Sequence, residues 1–183
     1  MAVKPAQYFD PFPGNRGDEL GNMASYRKHP HRGSDWGIKK AIELKPIKAI
    51  TNGKVKKIFW TDVLGHCLVQ SSDDGYYWLY AHLAEKPALE IDSPLEGGKS
   101  VIGKVGGGAK TKSGTASTGA HLHMAGAKMA DGKDVHLVAY EKLVDVHKHI
   151  DQNNKPVKAA APAAPAANAE PAKPIVTPKA KAE

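Results

Sequence analysis

The sequence has only one cysteine and no long apolar run. Because Cys67 is alone among the 183 residues, no disulfide can form within the chain. No run of about 18 apolar residues occurs, and the first twenty residues lack the uninterrupted apolar stretch of a signal peptide. The sequence therefore predicts neither a membrane-spanning segment nor an export signal, and synthesis in the cytoplasm is expected.

A strong excess of charge is also missing. The formal net charge is +7, and residues 155–183 hold five lysines and two glutamates, a net +3, which leaves +4 for the rest. The lysines are scattered and accompany no nucleic-acid-binding motif, so a nucleic-acid-binding domain is not favoured. A basic tail is nevertheless suited to weak attraction to anionic polymers.

Composition divides the chain into three parts. Residues 1–30 are rich in turn formers and predict an extended lead-in, whereas residues 31–152 have the length of one ordinary domain. From about residue 153 the chain consists largely of Ala, Pro and Lys without aromatic residues, which predicts a disordered tail.

Short β-rich runs separated by turn residues dominate the central part, as in all-β domains. The Asn52-Gly53 dipeptide predicts a hairpin between strands 47–50 and 55–60. The turn at 73–75 predicts a second hairpin between strands 67–70 and 76–83. Further strands are expected at 101–105 and 121–125, and the apolar spacing of 139–150 predicts a short closing helix.

Nine histidines include three pairs with the spacing His-x-His. Residues two apart on a strand point to the same face, so this spacing favours a metal or acid-base pair only where the context is β. His121 and His123 have that context. His29 and His31 flank a proline in a loop, and His147 and His149 fall in the predicted helix, where such residues do not face each other.

His31 and Asp35 form a second candidate group. Pro30, Gly33 and Gly37 argue against a helix here, so the two side chains are expected on a loop and the start of a strand. A third ligand, a histidine from a distant strand, would complete a set of nitrogen and oxygen ligands that leaves one tetrahedral position for water, as in catalytic zinc sites. Imidazole with carboxylate suits zinc better than calcium or magnesium.

A further histidine, His82, lies on an aromatic strand. Strict alternation would place Trp78, Tyr80 and His82 on one face of that strand, where the histidine could line a groove. Between residues 106 and 119, a stretch rich in Gly, Ser, Thr and Lys predicts a surface loop.

Three motifs in series resemble a known family. Residues 31–35 have the form H-x-G-x-D, residues 80–83 are Y-A-H-L, and residues 117–123 are S-T-G-A-H-L-H. In this order they resemble the lysostaphin/LytM-type metallopeptidases, which cut peptides of bacterial peptidoglycan. The resemblance covers about residues 11–140.

The resemblance implies a fold and a site. The fold would be mostly β, an antiparallel LytM-like sheet with a substrate groove, one short C-terminal helix and a disordered tail rich in Ala, Pro and Lys. His31, Asp35 and His123 would bind Zn2+, whereas His82 and His121 would lie beside the zinc-bound water and handle protons. Ala120 and Met124 stand where proline and an aromatic residue are common, which predicts an altered groove wall.

The function implied is a zinc-dependent endopeptidase for peptidoglycan stem peptides or cross-bridges. Without an export signal or a separate wall-binding domain, the expected role is that of a phage endolysin, released to the wall by another protein when the host lyses. A virion-associated lysin and a bacterial enzyme with an unrecognised export signal are the alternatives. The expected protein is a monomer, and its basic tail would assist binding to anionic wall polymers.

A non-catalytic LytM-like module that binds peptidoglycan or activates another hydrolase is the main alternative. Degenerate relatives of that kind usually lose ligands, whereas all five positions are filled here, which favours the enzyme. The sequence assigns no role to the remaining histidines, which are His29, His66, His136, His147 and His149.

Overall fold

The structure, a computed structural model, describes residues 6–14, 16–37, 42–129 and 134–154. The strands are β1 (Ser34–Trp36), β2 (Pro46–Lys48), β3 (Gly53–Thr61), β4 (Gly65–Ser72), β5 (Tyr76–Leu83), β6 (Pro94–Leu95), β7 (Val101–Lys104), β8 (Leu122–Lys128) and β9 (Leu143–Val144). Helix α1 spans Val146–Asn153. None of the helices described is long and apolar enough to cross a membrane. The predicted disordered tail lies outside the described residues, except for Asn153 and Asn154.

Seven strands form one antiparallel sheet. Its order is β1-β8-β5-β4-β3-β6, and the short strand β9 also pairs with β8. Strands β2 and β7 form a separate antiparallel pair. The predicted mostly antiparallel β fold with one short helix is therefore confirmed.

One of the two predicted hairpins is correct. Strands β4 and β5 pair across the turn at 73–75, where Gly75 adopts a φ of +86°. The hairpin at Asn52-Gly53 is wrong, because β2 pairs with β7 and β3 pairs with β4 and β6. Asn52 Oδ1 accepts a hydrogen bond from the Gly97 amide, and Gly53 does not adopt the positive φ of a tight hairpin turn.

The closing helix begins later than the sequence pattern predicts. Residues 140–142 form a 3₁₀ turn and Leu143 pairs with Ala127 in the sheet, so neither segment joins the helix. Asp145 sets the start, because its side chain accepts a hydrogen bond from the Lys148 amide at 3.2 Å and caps the first turn. His147 and His149 lie in α1, as predicted.

The two faces of the large sheet differ in side-chain size. One face packs a large core of aromatic and branched residues, which includes Tyr8 and Phe12 from the N-terminal segment. The other face, called the small-residue face below, carries a smaller cluster in which half of the buried residues described are small: Cys67, Ala81, Ala125 and Ala127. Since small side chains leave space above the strands, this second face can hold a groove.

Candidate functional site

An open groove of about 460 Å³ lies over the small-residue face of the sheet. His82 and His123 line it, while His31 and Arg32 belong to a wall formed by the loop before β1. The opposite wall is formed by residues 116–120, the end of the Gly-rich stretch. All five histidine and aspartate positions singled out in the sequence line this one groove.

Strand pairing brings Asp35 and His123 together. In the antiparallel ladder of β1 and β8 the two residues are direct partners, and Asp35 Oδ1 lies 2.9 Å from His123 Nδ1. His31 Nε2 approaches from the preceding loop and lies 3.3 Å from Asp35 Oδ1 and 3.1 Å from His123 Nδ1. Three donor atoms from two strands and a loop thus form a nearly equilateral triangle.

The size of this triangle fits zinc. With zinc–ligand bonds of about 2.0–2.1 Å, tetrahedral ligands stand roughly 3.3 Å apart. The observed separations of 2.9, 3.1 and 3.3 Å are close to that value. Two imidazole nitrogens and one carboxylate oxygen are also a donor set that zinc accepts, and three protein ligands are the number found in catalytic zinc sites.

Hydrogen bonds determine which nitrogen of His31 is available. Its Nδ1 lies 3.0 Å from the Glu19 carbonyl oxygen, which can only accept, so Nδ1 carries the proton and donates. Nε2 therefore keeps its lone pair for a metal. A backbone carbonyl that orients a histidine in this way is a common support of metal sites.

The Asp35 carboxyl is ionised despite its burial. Burial acts to raise its pKa, but the adjacent His123 and His31 side chains outweigh that effect and hold the pKa well below its usual range. Arg27 adds a positive charge 3.7 Å from the second carboxylate oxygen and is itself held by Asp18 at 2.8 Å. The carboxylate is thus kept negative and oriented, as a metal ligand must be.

Helix α1 supports the strand that carries Asp35. The Val146 amide donates to Ser34 Oγ at 3.1 Å, and His147 Nε2 donates to the Asp35 carbonyl at 3.1 Å. His147 also packs edge-on against Trp36, with ring centroids 4.3 Å apart. The sequence assigns no role to His147, whereas the structure makes it a residue that positions Asp35.

Glycine is required at position 33 because strand β8 lies very close to it. A Cβ atom at this position would lie 2.1 Å from the Met124 carbonyl oxygen and 2.7 Å from the His123 ring. Only glycine fits between the two proposed ligands of the H-x-G-x-D motif and strand β8.

His82 reaches the groove through an unusual backbone conformation. Its φ is +57°, which interrupts the alternation of β5 and turns the side chain away from the face of Trp78 and Tyr80. The predicted common face of these three residues is therefore wrong: the two aromatic residues lie in the large core, whereas His82 lines the groove. The pattern of apolar residues in the sequence does not reveal such an interruption of the alternation.

The ring of His82 is held as a neutral base. Its Nδ1 donates to the Ser113 carbonyl at 2.8 Å, which leaves Nε2 unprotonated. Burial, with smaller contributions from the neighbouring His121 and His123, lowers the pKa of His82 to about 4. The residue is thus neutral near pH 7, with one lone pair available to accept a proton.

His121 stands beside His82 at the exposed edge of the groove. The ring centroids are 4.7 Å apart, and His121 Nδ1 lies 2.8 Å from the Gly119 carbonyl, so this nitrogen also donates. Ser117 Oγ lies 3.3 Å from the same nitrogen. The S-T-G-A-H segment therefore folds back to orient its own histidine.

The two unusual positions of the last motif have different surroundings. Ala120 lines the groove, as expected for an altered wall. Met124 is fully buried in the large core on the opposite face, so the prediction that it changes the groove wall is wrong. Alternation along β8 explains this, because Met124 follows the groove residue His123 directly.

The chain is similar to known proteins in both sequence and fold. The model of peptidase family M23 matches residues 29–136. The catalytic domain of the antimicrobial peptidase lysostaphin from Staphylococcus simulans is similar in structure, with 22% identity, 75% of this chain and 92% of that chain covered, and a TM-score of 0.58.

Two further structures are similar. LytU shares 29% identity, with 80% of this chain and 91% of that chain covered and a TM-score of 0.59. A zinc-containing peptidase from Vibrio cholerae shares 22% identity, with 76% of this chain and 39% of that chain covered and a TM-score of 0.51. A search of curated protein sequences finds no match.

Proposed function

Because this chain belongs to peptidase family M23, we propose that it is a zinc-dependent endopeptidase that hydrolyses peptide bonds in bacterial peptidoglycan. The observation that carries the proposal is the convergence of His31 Nε2, Asp35 Oδ1 and His123 Nδ1 within 3.3 Å of one another in an open groove. The likeness to lysostaphin and LytU supports the same assignment.

In this proposal His31, Asp35 and His123 hold the metal. Zinc, when bound, would supply Lewis acidity and lower the pKa of water towards about 7. Arg27 lies 3.7 Å from the second oxygen of the Asp35 carboxylate and helps to orient it, while the Glu19 carbonyl keeps the His31 ring in its ligating orientation. The chain thus supplies a site whose ligands are oriented before the metal arrives.

His82 and His121 handle protons in the proposed mechanism. Because burial keeps the His82 ring neutral, its Nε2 is free to accept a proton from a water molecule in the groove as that water attacks the peptide carbonyl. His121 lies at the more exposed edge, where its Nε2 can exchange a proton with the leaving amine. The close approach of the two histidine rings is consistent with one residue accepting a proton and the other donating one.

Loss of turbidity of a purified cell-wall suspension tests the proposal. We expect lysis by the zinc-loaded protein, no lysis after treatment with a chelator, and recovery when zinc is restored. Elemental analysis should give close to one zinc per chain. Zinc-loaded protein that binds walls without releasing peptide termini would instead support the non-catalytic module.

The phage role, the monomeric state and the wall-binding tail remain predictions. Co-expression with a pore-forming protein tests the first, because lysis should then require both proteins. Size-exclusion chromatography with light scattering tests the second.

A further inference from the structure

A second cavity of about 340 Å³ adjoins the proposed metal site. The two cavities share Arg32, Leu64 and His123, so they form one continuous surface on the small-residue face of the sheet. Neither the proton-handling residues nor the ligand His31 lines the second cavity. When a substrate is bound at the metal site, the residue next to its scissile bond would therefore lie in the second cavity.

Most of the surface that lines this cavity is apolar, and Thr61 and His136 add polar groups to it. Leu79 and Ala125, direct partners on β5 and β8, form its floor. The turn between β3 and β4 contributes Val63, which is 54% exposed, and Val135 and Leu143 lie at the opposite end. An apolar surface of this kind favours a substrate with hydrocarbon to bury.

Arg32 supplies a positive charge at the boundary between the two cavities. Its guanidinium donates to the Val138 carbonyl. Among the residues described, it makes no salt bridge with a carboxylate. A planar guanidinium with further N–H groups available is well suited to bind a substrate carboxylate.

Few residues of peptidoglycan peptides suit this combination. Glycine has no side chain and alanine has one methyl group, so neither fills the cavity. A diamino acid brings three or four methylenes, and each buried methylene contributes about fourfold in affinity. If its side chain ends in a carboxylate as well as an amine, that carboxylate can pair with Arg32, whereas a lysine ammonium would be repelled.

Building on the proposed function, we propose that the second cavity binds a diamino acid residue of the stem peptide, adjacent to the scissile bond, whose side chain ends in a carboxylate. The methylenes pack on Leu79 and Ala125, and the carboxylate pairs with Arg32. The enzyme is then selective for such stem peptides over glycine cross-bridges.

Four synthetic substrates test this selectivity with the zinc-loaded full chain. They are a stem peptide with the free side-chain carboxylate, the same peptide with a carboxamide, its lysine counterpart and a glycine bridge. We expect kcat/KM for the carboxylate peptide to exceed that for the carboxamide about tenfold, the size of one charge-assisted hydrogen bond. The glycine bridge should be the poorest substrate.

Two kinds of variant test which residues cause the selectivity. Arg32→Gln should bring the carboxylate-to-carboxamide ratio close to one, whereas Lys54→Gln removes an exposed charge at the far end of β3 and should leave the ratio unchanged. Ala125→Leu fills the cavity and should weaken all diamino acid substrates while zinc content stays the same. If that variant does not fold, Val63→Ser removes apolar surface at the exposed rim without adding charge and should likewise weaken the diamino acid substrates.

Titration calorimetry with the product peptides gives a readout that does not depend on turnover. Tighter binding of the carboxylate form, lost in Arg32→Gln, would support the proposal even if no peptide were hydrolysed. Absence of hydrolysis would then overturn only the proposed endopeptidase function. Equal binding and equal turnover of the carboxylate and carboxamide forms, or fastest cleavage of the glycine bridge, would overturn the cavity assignment alone.

Discussion

Asp35 and His123 are direct partners across the β1–β8 ladder, and Asp35 Oδ1 lies 2.9 Å from His123 Nδ1. The two residues are 88 positions apart in the chain. Their distance is therefore set by strand register, and a slip of one residue would turn one side chain to the opposite face of the sheet. The proposed metal site and the fold depend on the same pairing.

Replacing either of these residues by alanine should weaken metal binding and abolish activity. Asp35→Ala or His123→Ala removes one of the three proposed protein ligands, so purified protein should hold clearly less than one zinc per chain and show no activity. Elemental analysis and initial rates on purified walls measure both effects. His66→Ala, at a residue that lines neither cavity, is the control and should stay within a few-fold of the parent.

Replacing either of the proposed proton-handling histidines should lower the reaction rate without loss of zinc. His82→Ala and His121→Ala should retain close to one zinc, because neither side chain belongs to the ligand triangle. The rate should still fall by about 10²–10⁴, the range for loss of a positioned acid-base group. Zinc loss in His82→Ala with zinc retained in Asp35→Ala would contradict the assignment, and full activity in His121→Ala would remove that residue from the mechanism.

Adding one methyl group at Gly33 should disrupt the site. In Gly33→Ala the new Cβ would lie 2.1 Å from the Met124 carbonyl, so β1 and β8 must separate. We expect a loss of about 1–3 kcal/mol in the free energy of unfolding, as for an overpacked core, together with weaker zinc binding. Gly119→Ala is a matched control, because a Cβ there meets nothing within 4 Å, and its melting curve should follow the parent's.

Acid should destabilise the protein partly through His149. Its ring lies 4.6 Å from those of Tyr8 and Tyr76 and 4.9 Å from that of Trp78, and this burial lowers its pKa, opposed by the Asp74 carboxylate. The unfolded chain, in which histidine titrates near about 6.5, therefore binds the proton more readily. The free energy of unfolding should fall as pH drops below that value and be insensitive to this group above it.

His149→Phe keeps an aromatic ring and removes the titration. Its melting temperature should depend less on pH between about 7.5 and 5 than that of the parent, because zinc binding contributes a similar slope to both proteins. His29→Phe, at an exposed loop position, should keep the parent's pH dependence. Identical slopes for the parent and His149→Phe would exclude His149 as a source of acid sensitivity.

Deleting residues 155–183 should leave the domain folded. Helix α1 ends within the described residues, where the Asn154 amide donates to the Ile150 carbonyl at 3.0 Å. We expect an unchanged melting temperature and weaker wall binding at low salt, a difference that should fade once the Debye length drops below about 10 Å. A clearly lower melting temperature would show that the tail packs on the domain.

Features that depend on a few neighbouring residues could be predicted from the sequence. The turn at 73–75 and its two strands follow from local turn chemistry and β-branched and aromatic composition. The series of three motifs identifies five of the residues that line the groove, because the motifs consist of specific residue types in a fixed order. The hairpin at Asn52-Gly53 was wrong since Asn52 bonds instead to Gly97, 45 residues away.

Sequence alone therefore determined which side chains are available for the proposed zinc site and that strands would carry several of them. Tertiary structure decided that β1 pairs with β8 in the register that joins Asp35 to His123, that a positive φ turns His82 into the groove, and that His147 supports Asp35 from α1. It also decided that an apolar cavity adjoins the site beside Arg32. The physical reason is that register, backbone strain and cavities arise from contacts between segments far apart in the chain, where local propensity carries no information.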